Sequence, residues 1–176
     1  MYQGFAVANN TENSFFNELG RDPERARRFA GAMSLFSSTP ALSPCHLMEG
    51  YPWSALDDAV VVDIGGSHGD VAQALAREFP KLRLVVQDLP SVVAGAVLQP
   101  DLQLKFMPYD FFDQQPVKDA DVYLLRWILH DWPDAYNIKI LRAQIPALKK
   151  GASVLIMDSV MPPPGAVPNS VERKLR

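Results

Sequence analysis

Residues 60–80 read VVVDIGGSHGDVAQALAREFP, and they constrain the fold more than any other part of the chain. The β-branched run 60–64 predicts a short strand buried on both faces of a parallel sheet. Gly65 and Gly66 then allow a tight turn, and apolar residues four positions apart predict a helix over 71–79, which begins with unpaired N–H groups. This order predicts half of a nucleotide-type cofactor site, although a simple strand-to-helix turn would also explain the glycine pair.

Asp88 strengthens the prediction of a cofactor site. It closes a second strand-like run over 82–87 and lies 88 minus 66, or 22, residues after Gly66. In a doubly wound fold, an acid at about this spacing accepts hydrogen bonds from the ribose hydroxyls of the cofactor. Ser67, however, replaces the second glycine of the G-x-G-x-x-G fingerprint, which weakens the interpretation as a nicotinamide or flavin site.

Composition is that of a soluble α/β protein of 176 residues, with 48% hydrophobic residues and a net charge of -3. Because Lys and Arg are dispersed, we expect no nucleic-acid partner. The single cysteine, Cys45, excludes an internal disulfide framework and suits a reducing compartment. We see neither a signal peptide nor a membrane-spanning run, so we expect a cytoplasmic protein with no membrane partner.

The order of elements predicts a doubly wound, mostly parallel α/β sheet. Asp22 followed by Pro and Glu indicates a helix start, and that helix should run to Phe36, with Phe29, Met33 and Phe36 as an apolar stripe that core packing would explain. Residues 1–50 form a helical segment and linker, and 51–176 form the sheet domain. Within that domain we predict strands at 60–64, 82–87, 102–106, 122–128 and 153–157, and helices at 71–79, 91–98 and 133–148.

The second informative segment, 121–134, reads DVYLLRWILHDWPD. An apolar strand ends there in reactive side chains, at the carboxyl edge where open α/β sheets bind ligands. His130 is the leading catalytic candidate, although a histidine near a helix start can also satisfy local hydrogen bonds. Asp131 is a candidate for the site or, equally, for a cap on the helix that contains Pro133.

These segments resemble the catalytic domain of plant and fungal O-methyltransferases of the caffeic-acid type, which use S-adenosylmethionine. DIGGSHG, QDLP, YDFF and RWILHDWPD match the family in order and spacing, and the similarity extends over 15–176. The resemblance implies a Rossmann-like methyltransferase fold, S-adenosylmethionine as cofactor, and a small aromatic or polyketide-like substrate with a hydroxyl group.

The resemblance also implies a role for individual residues. His130 corresponds to the general base, and Asp158, 158 minus 130 or 28 residues later, to an orienting acid where the family often has Glu. Asp158 could instead be an ordinary residue of a strand-end turn. The positions implied for the cofactor are Gly65, Gly66, Asp88, Asp110, Phe111 and Arg126, and those for the substrate are Phe29, Met33, Trp127 and Asp131. No residues are assigned to a metal.

The chain departs from this family at both ends. Relatives carry an N-terminal helical domain that forms homodimers, whereas Met1 lies only about twenty residues before Asp22, so we expect the dimerisation domain to be missing. The sequence ends at VERKLR, before the last helix and the last two strands of such a domain. We therefore expect the strand before Asp158 to have an unprotected edge, with marginal solubility, a noncognate partner at that edge or a truncated gene product as the consequence.

Three functions remain open at this point. The first is an O-methyltransferase that acts on a phenolic or enolic hydroxyl of a small secondary metabolite, with His130 as general base. The second is a catalytically silent fragment that binds the cofactor or another subunit. The third, a nicotinamide oxidoreductase, rests on analogy of fold alone.

Overall fold

The computed structural model describes residues 4–37, 39–160 and 162–171, and the chain divides into two compact units, Met1–Tyr51 and Pro52–Arg176. The C-terminal residues of VERKLR after Val171 lie outside the described residues, as does the side chain of Phe36. Among the helices of the described residues, none has the length and apolar character needed to cross a membrane. The resemblance assigns Phe29 and Met33 of the first unit to the substrate, and this role stays a prediction.

The first unit is helical. Its third helix begins where the sequence predicts, because Asp22 Oδ1 accepts hydrogen bonds from the backbone N–H of Glu24 at 3.0 Å and of Arg25 at 3.1 Å. The α-helices described in this unit are α1 (Gly4–Ala8), α2 (Phe15–Arg21), α3 (Pro23–Ser37) and α4 (Cys45–Gly50).

The second unit contains a five-stranded sheet in which every pair of neighbours is parallel and the strand order is β3-β2-β1-β4-β5. The chain moves outward from β1 to β3 and then returns to the other side of β1, so the sheet is doubly wound as predicted. Its elements are β1 (Val60–Ile64), α5 (Asp70–Glu78), β2 (Arg83–Asp88), α6 (Pro90–Val93), β3 (Leu104–Pro108), β4 (Val122–Arg126), α7 (Asp134–Gln144) and β5 (Ser153–Met157).

Two predicted helices are longer than the observed ones. The helix predicted over 91–98 is only the four-residue α6, since Gly95 disfavours a helix and the following Val97 and Leu98 remain exposed, with no apolar surface to pack against. The helix predicted over 133–148 ends at Gln144 and continues as a single 3₁₀ turn, because Pro146 has no N–H for the helical ladder.

The core lies between the sheet and its helices. Ile140 of α7 packs against one face of the sheet, in a buried cluster that includes Val62, Ile64, Tyr123 and Leu125. Because side chains alternate along a strand, the intervening residues of β1 face the other way. β5 forms one edge of the described sheet, as the sequence predicts, and the consequences expected from that edge stay predictions.

Candidate functional site

The strand ends bring the predicted site residues of the second unit to one edge of the sheet. Ile64 pairs with Gln87 on β2 and with Leu125 on β4, and Arg126 pairs with Met157 on β5. Because the strands are parallel, their carboxyl ends meet at the same edge. The residues that follow these ends or close them are Gly65, Gly66, Asp88, Asp110, Phe111, Arg126, Trp127, His130, Asp131 and Asp158.

The glycine turn after β1 is fixed by its own backbone. The N–H groups of Gly65 and Gly66 both donate to the Gln87 carbonyl oxygen, at 2.7 and 3.1 Å. Gly65 has φ +72°, a conformation that favours glycine. A Cβ on Gly66 would lie 2.5 Å from Asp63 Oδ2 and 2.8 Å from Val86 Cγ1, so packing inside the protein already requires glycine there. Contacts of these glycines with a cofactor stay predictions.

Asp88 closes β2 beside this turn. Its Oδ2 accepts a hydrogen bond from the Ser67 N–H and its Oδ1 accepts one from the Leu89 N–H, both at 2.8 Å. Burial raises the pKa of Asp88, and the two backbone hydrogen bonds act in the opposite direction. An ionised carboxylate has about four acceptor positions, so Asp88 retains acceptor capacity for further donors such as hydroxyl groups.

Asp110 and Phe111 lie in the turn after β3. Asp110 is exposed, and its Oδ1 accepts a hydrogen bond from the Phe112 N–H at 3.0 Å. The ring of Phe111 meets those of Phe112 and Trp132 edge-on, at centroid distances of 5.1 and 5.8 Å. The turn therefore presents a carboxylate beside an aromatic cluster.

Arg126 ends β4, and the next residue, Trp127, has an unusual backbone conformation. Trp127 has φ +55°, which is costly for a bulky side chain, and its N–H donates to the Met157 carbonyl oxygen at 3.0 Å. The Arg126 Cζ lies 3.9 Å from the centroid of the Trp127 ring, a cation–π contact. The indole ring and the guanidinium therefore lie against each other at the sheet edge.

His130 lies between two carboxylates on the 3₁₀ turn Leu129–Asp131. Its Nε2 is 3.5 Å from Asp131 Oδ1, and its Nδ1 is 3.5 Å from Asp158 Oδ1. Asp158 Oδ2 also accepts a hydrogen bond from the Leu129 N–H at 3.1 Å, so this acid ties the end of β5 to the turn that carries the histidine. Asp158 is therefore both a residue of the strand end and a neighbour of the imidazole.

Asp131 does not cap the following helix. The N-cap residue of α7 is Pro133, with no hydrogen bond from a capping side chain. Asp131 lies beside His130, and its role in the site stays a prediction.

The two carboxylates set the charge of the imidazole. The pKa of His130 is raised, mainly by Asp131 and to a smaller extent by Asp158, while partial burial opposes the rise. Burial raises the pKa of Asp158, and the neighbouring His130 opposes that shift. The arrangement therefore favours the protonated imidazole.

Asp63 is a buried acid that the sequence did not assign to the site. It interrupts the apolar run of β1 and is 3% exposed, and burial raises its pKa to about 7, with the charge of Asp88 adding to the rise and that of Arg126 opposing it. An acid inside an otherwise apolar strand was the signal that could have identified Asp63.

Three buried glutamines beneath the same edge, Gln87, Gln115 and Gln144, were also not predicted, because isolated amides in a sequence form no motif.

Phe29 and Met33 lie on α3, in the first unit. Phe29 meets the rings of Phe15 and Phe16 edge-on, at centroid distances of 5.2 and 6.1 Å. Met33 is half-buried. Their packing within that unit is observed, and their contact with a substrate stays a prediction.

A doubly wound sheet with a glycine turn after β1, an acid at the end of β2 and a histidine beyond β4 defines a domain for a nucleoside-containing cofactor. The chain belongs to the O-methyltransferase domain family, whose model matches residues 5–173. The prediction of the family and of S-adenosylmethionine as its cofactor is confirmed.

Fungal O-methyltransferases are similar to this chain over nearly all of its length. The O-methyltransferase of the grayanic acid biosynthesis cluster of Cladonia grayi is 47% identical over 99% of this chain and 40% of its own length. O-methyltransferase gsfB of Penicillium aethiopicum is 48% identical over 98% of this chain and 41% of its own length. The chain thus spans about two fifths of the length of these relatives.

Among solved structures, the O-methyltransferase NcsB1 from neocarzinostatin biosynthesis matches with a TM-score of 0.75 and 30% identity, over 86% of this chain and 46% of that one. It was crystallised with S-adenosylmethionine and 2-hydroxy-5-methyl naphthoic acid. The Rossmann-like fold predicted from the sequence is confirmed by this match.

Proposed function

We propose that this protein transfers a methyl group from S-adenosylmethionine to a phenolic or enolic hydroxyl of a small secondary metabolite, with His130 as the general base. The observation that carries the proposal is the position of His130 at the carboxyl edge of the sheet, with a carboxylate 3.5 Å from each ring nitrogen. The family membership and the naphthoic acid bound to NcsB1 support the reaction and the aromatic class of substrate.

The side chains at the edge fit the cofactor chemically. The acceptor capacity left on Asp88 suits the ribose hydroxyls, the exposed Asp110 suits the adenine amino group, and the ring of Phe111 suits the adenine face. Gly65 and Gly66 form the turn at the same edge, and Arg126 lies near the same strand ends. When bound, S-adenosylmethionine supplies an electrophilic methyl group on a sulfonium cation.

The two acids assign different roles to the two nitrogens of His130. The side chain of Asp158 is 13% exposed and is held by the Leu129 N–H, so it keeps a proton on Nδ1 and fixes the ring orientation. Asp131 is 42% exposed, as is His130, and can turn away from Nε2. Nε2 then accepts the hydroxyl proton while the substrate oxygen attacks the methyl group in line.

We place Trp127, Asp131, Phe29 and Met33 among the substrate contacts.

The test is methyl transfer from labelled S-adenosylmethionine to a panel of phenols, with wild type and His130→Ala side by side. General-base catalysis contributes about 10²–10⁴-fold, so we expect transfer to fall by that factor while affinity for S-adenosylhomocysteine is retained. Turnover retained by His130→Ala would remove the histidine from this role.

The catalytically silent fragment is the second candidate, and it is distinguished by binding without turnover. Calorimetry with S-adenosylmethionine alone, followed by the phenol panel, separates the two functions. Binding of the cofactor without transfer to any phenol would favour the silent fragment.

A further inference from the structure

Three buried glutamines form a hydrogen-bonded network beneath the carboxyl edge. Gln87 and Gln115 pair reciprocally through their amides, at 2.8 and 2.9 Å, and the Gln115 Nε2 also donates to Gln144 Oε1 at 2.9 Å. Gln144 Nε2 donates to the Tyr109 hydroxyl oxygen at 3.3 Å. The three amides are at most 1% exposed, so each depends on its partners for hydrogen bonding.

The network reaches the turn that carries the predicted adenine contacts. The Tyr109 hydroxyl donates to the Asp113 carbonyl oxygen at 2.8 Å, which closes the turn 109–113 around Asp110 and Phe111. Asp113 N–H donates to the Asp110 carbonyl oxygen at 2.9 Å within the same turn. The hydroxyl of one tyrosine thus joins the far end of this turn to Gln144 on α7.

At its other end, the network reaches the glycine turn and the predicted ribose acid. The carbonyl oxygen of Gln87 accepts the N–H groups of Gly65 and Gly66, and Asp88 is the next residue in the chain. Gln87 therefore holds the glycine turn with its backbone and Gln115 with its side chain. The two halves of the proposed nucleoside site are connected through one chain of hydrogen bonds.

Buried amides are costly unless they are paired, and apolar side chains would fill the same space without that cost. Packing alone therefore gives no reason for three glutamines at these positions. Partners with fixed directions do restrict the turn to one position relative to β2, which apolar contacts do less well.

We propose that Gln87, Gln115, Gln144 and Tyr109 form a positioning network that sets the placement of Asp110 and Phe111 relative to Asp88, and so tunes affinity and base specificity at the adenine end of the cofactor. This inference rests on the proposed function, since it assumes that a nucleoside occupies the edge. None of the four side chains needs to touch the cofactor to act in this way.

Two buried tyrosines give a matched test. Tyr109→Phe removes the hydroxyl that joins the turn to Gln144. Tyr123→Phe removes a buried hydroxyl near the amino end of β4, which lies 2.8 Å from the Val117 carbonyl oxygen and 2.9 Å from that of Ala147 and accepts the Ala120 N–H at 3.2 Å. This hydroxyl reaches the network only indirectly, through Val117, whose N–H donates to Gln115 Oε1 at 3.0 Å. Both substitutions should lower the thermal midpoint by a few degrees.

Calorimetry on the 176-residue chain would measure the dissociation constants of S-adenosylhomocysteine and S-inosylhomocysteine, whose base lacks the adenine amino group. In Tyr109→Phe we expect affinity for S-adenosylhomocysteine to fall about 3–10-fold, the equivalent of roughly one hydrogen bond, with a smaller loss for the inosyl compound. Tyr123→Phe should change both constants much less than Tyr109→Phe does, because its hydroxyl does not contact the turn 109–113. Equal losses of affinity for the two ligands in Tyr109→Phe, or equal losses in the two variants, would overturn the proposal.

Gln115→Met provides a second test, because it disconnects both neighbours at similar side-chain volume. If this variant folds, discrimination between the two ligands should fall at least as far as in Tyr109→Phe. Unchanged discrimination in a folded Gln115→Met would also overturn the network. Failure of the wild-type chain to bind S-adenosylhomocysteine at all would instead overturn the proposed function, and with it the assumed nucleoside.

Discussion

The imidazole of His130 has a carboxylate at each nitrogen, and the two acids differ in exposure. Asp131, the more exposed one, is the main cause of the raised pKa of His130. A general base acts in its neutral form, so the proposed activity should rise with pH through this pKa. Because the folded-state pKa of His130 is raised, protonation is favoured up to a higher pH than in a free histidine.

Asp131→Asn removes the carboxylate beside Nε2. We expect the ascending limb of the kcat/KM profile to move to lower pH, since neutral His130 then prevails over a wider range. The measurement is the pH dependence of methyl transfer for both proteins, in which the position of the limb matters and the height of the plateau does not. A limb at the same or a higher pH would show that Asp131 does not control the base.

A second prediction at the scale of single residues concerns Asp63 and the pH dependence of stability. Its pKa rises from 3.8 to about 7 on burial, so the native chain binds more protons than the unfolded chain between these values. Stability should therefore fall as pH rises from about 4 to 7, by up to about 4 kcal/mol. Arg126 and Asp88 are the charged groups that act on this carboxyl.

Asp63→Asn removes this titration. We expect the variant to exceed wild type in free energy of unfolding at pH 8 and to lose that advantage near pH 4. Denaturant unfolding across this pH range provides the measurement. A difference between the two proteins that does not change with pH would contradict the assignment.

At the scale of elements, we expect a glycine-to-alanine substitution to have opposite effects on stability in the glycine turn and in helix α3. A Cβ on Gly66 would strike the Asp63 carboxyl, which lies beneath the turn, whereas a Cβ on Gly31, inside α3, meets no atom within 4 Å. Gly66→Ala should cost about 1–3 kcal/mol through overpacking. Gly31→Ala should leave stability unchanged or raise it by up to about 1 kcal/mol, because alanine favours a helix.

The measurement is denaturant unfolding of both variants beside wild type. Gly66→Ala should also weaken binding of S-adenosylhomocysteine, because the turn must shift to admit the methyl group. Equal stability of the two variants would show that the turn relaxes without cost and that the close packing on Asp63 is unimportant.

Elements with a strong local pattern could be predicted from the sequence. The β-branched run of β1, the apolar residues of β5 and the Asp22 cap of α3 each depend on neighbours in the chain, and each is observed at or within a residue of its predicted position. The predicted helix over 91–98 failed because its apolar residues, Val97 and Leu98, find no surface to bury them. That outcome depends on tertiary packing and is invisible in a local pattern.

At the scale of the whole molecule, alternating strands and helices predict a parallel sheet, and the residues that follow its strands meet at the carboxyl edge. Asp88 and His130 could be predicted at that edge although they are far apart in the chain, whereas the role of Asp158 came from the resemblance to the O-methyltransferases. Gln115 and Gln144 could not be predicted, because their role depends on a common buried position and not on spacing. The same holds for the unequal exposure of Asp131 and Asp158 beside the base.

The central claim is that His130 removes a hydroxyl proton during methyl transfer. The most direct measurement compares wild type and His130→Gln on two phenols of similar shape, one acidic enough to be ionised at the assay pH and one not. We predict a loss of about 10²–10⁴-fold for the weakly acidic phenol and a much smaller loss for the ionised one, which needs no base. Equal losses on both phenols, or no loss on either, would contradict the account.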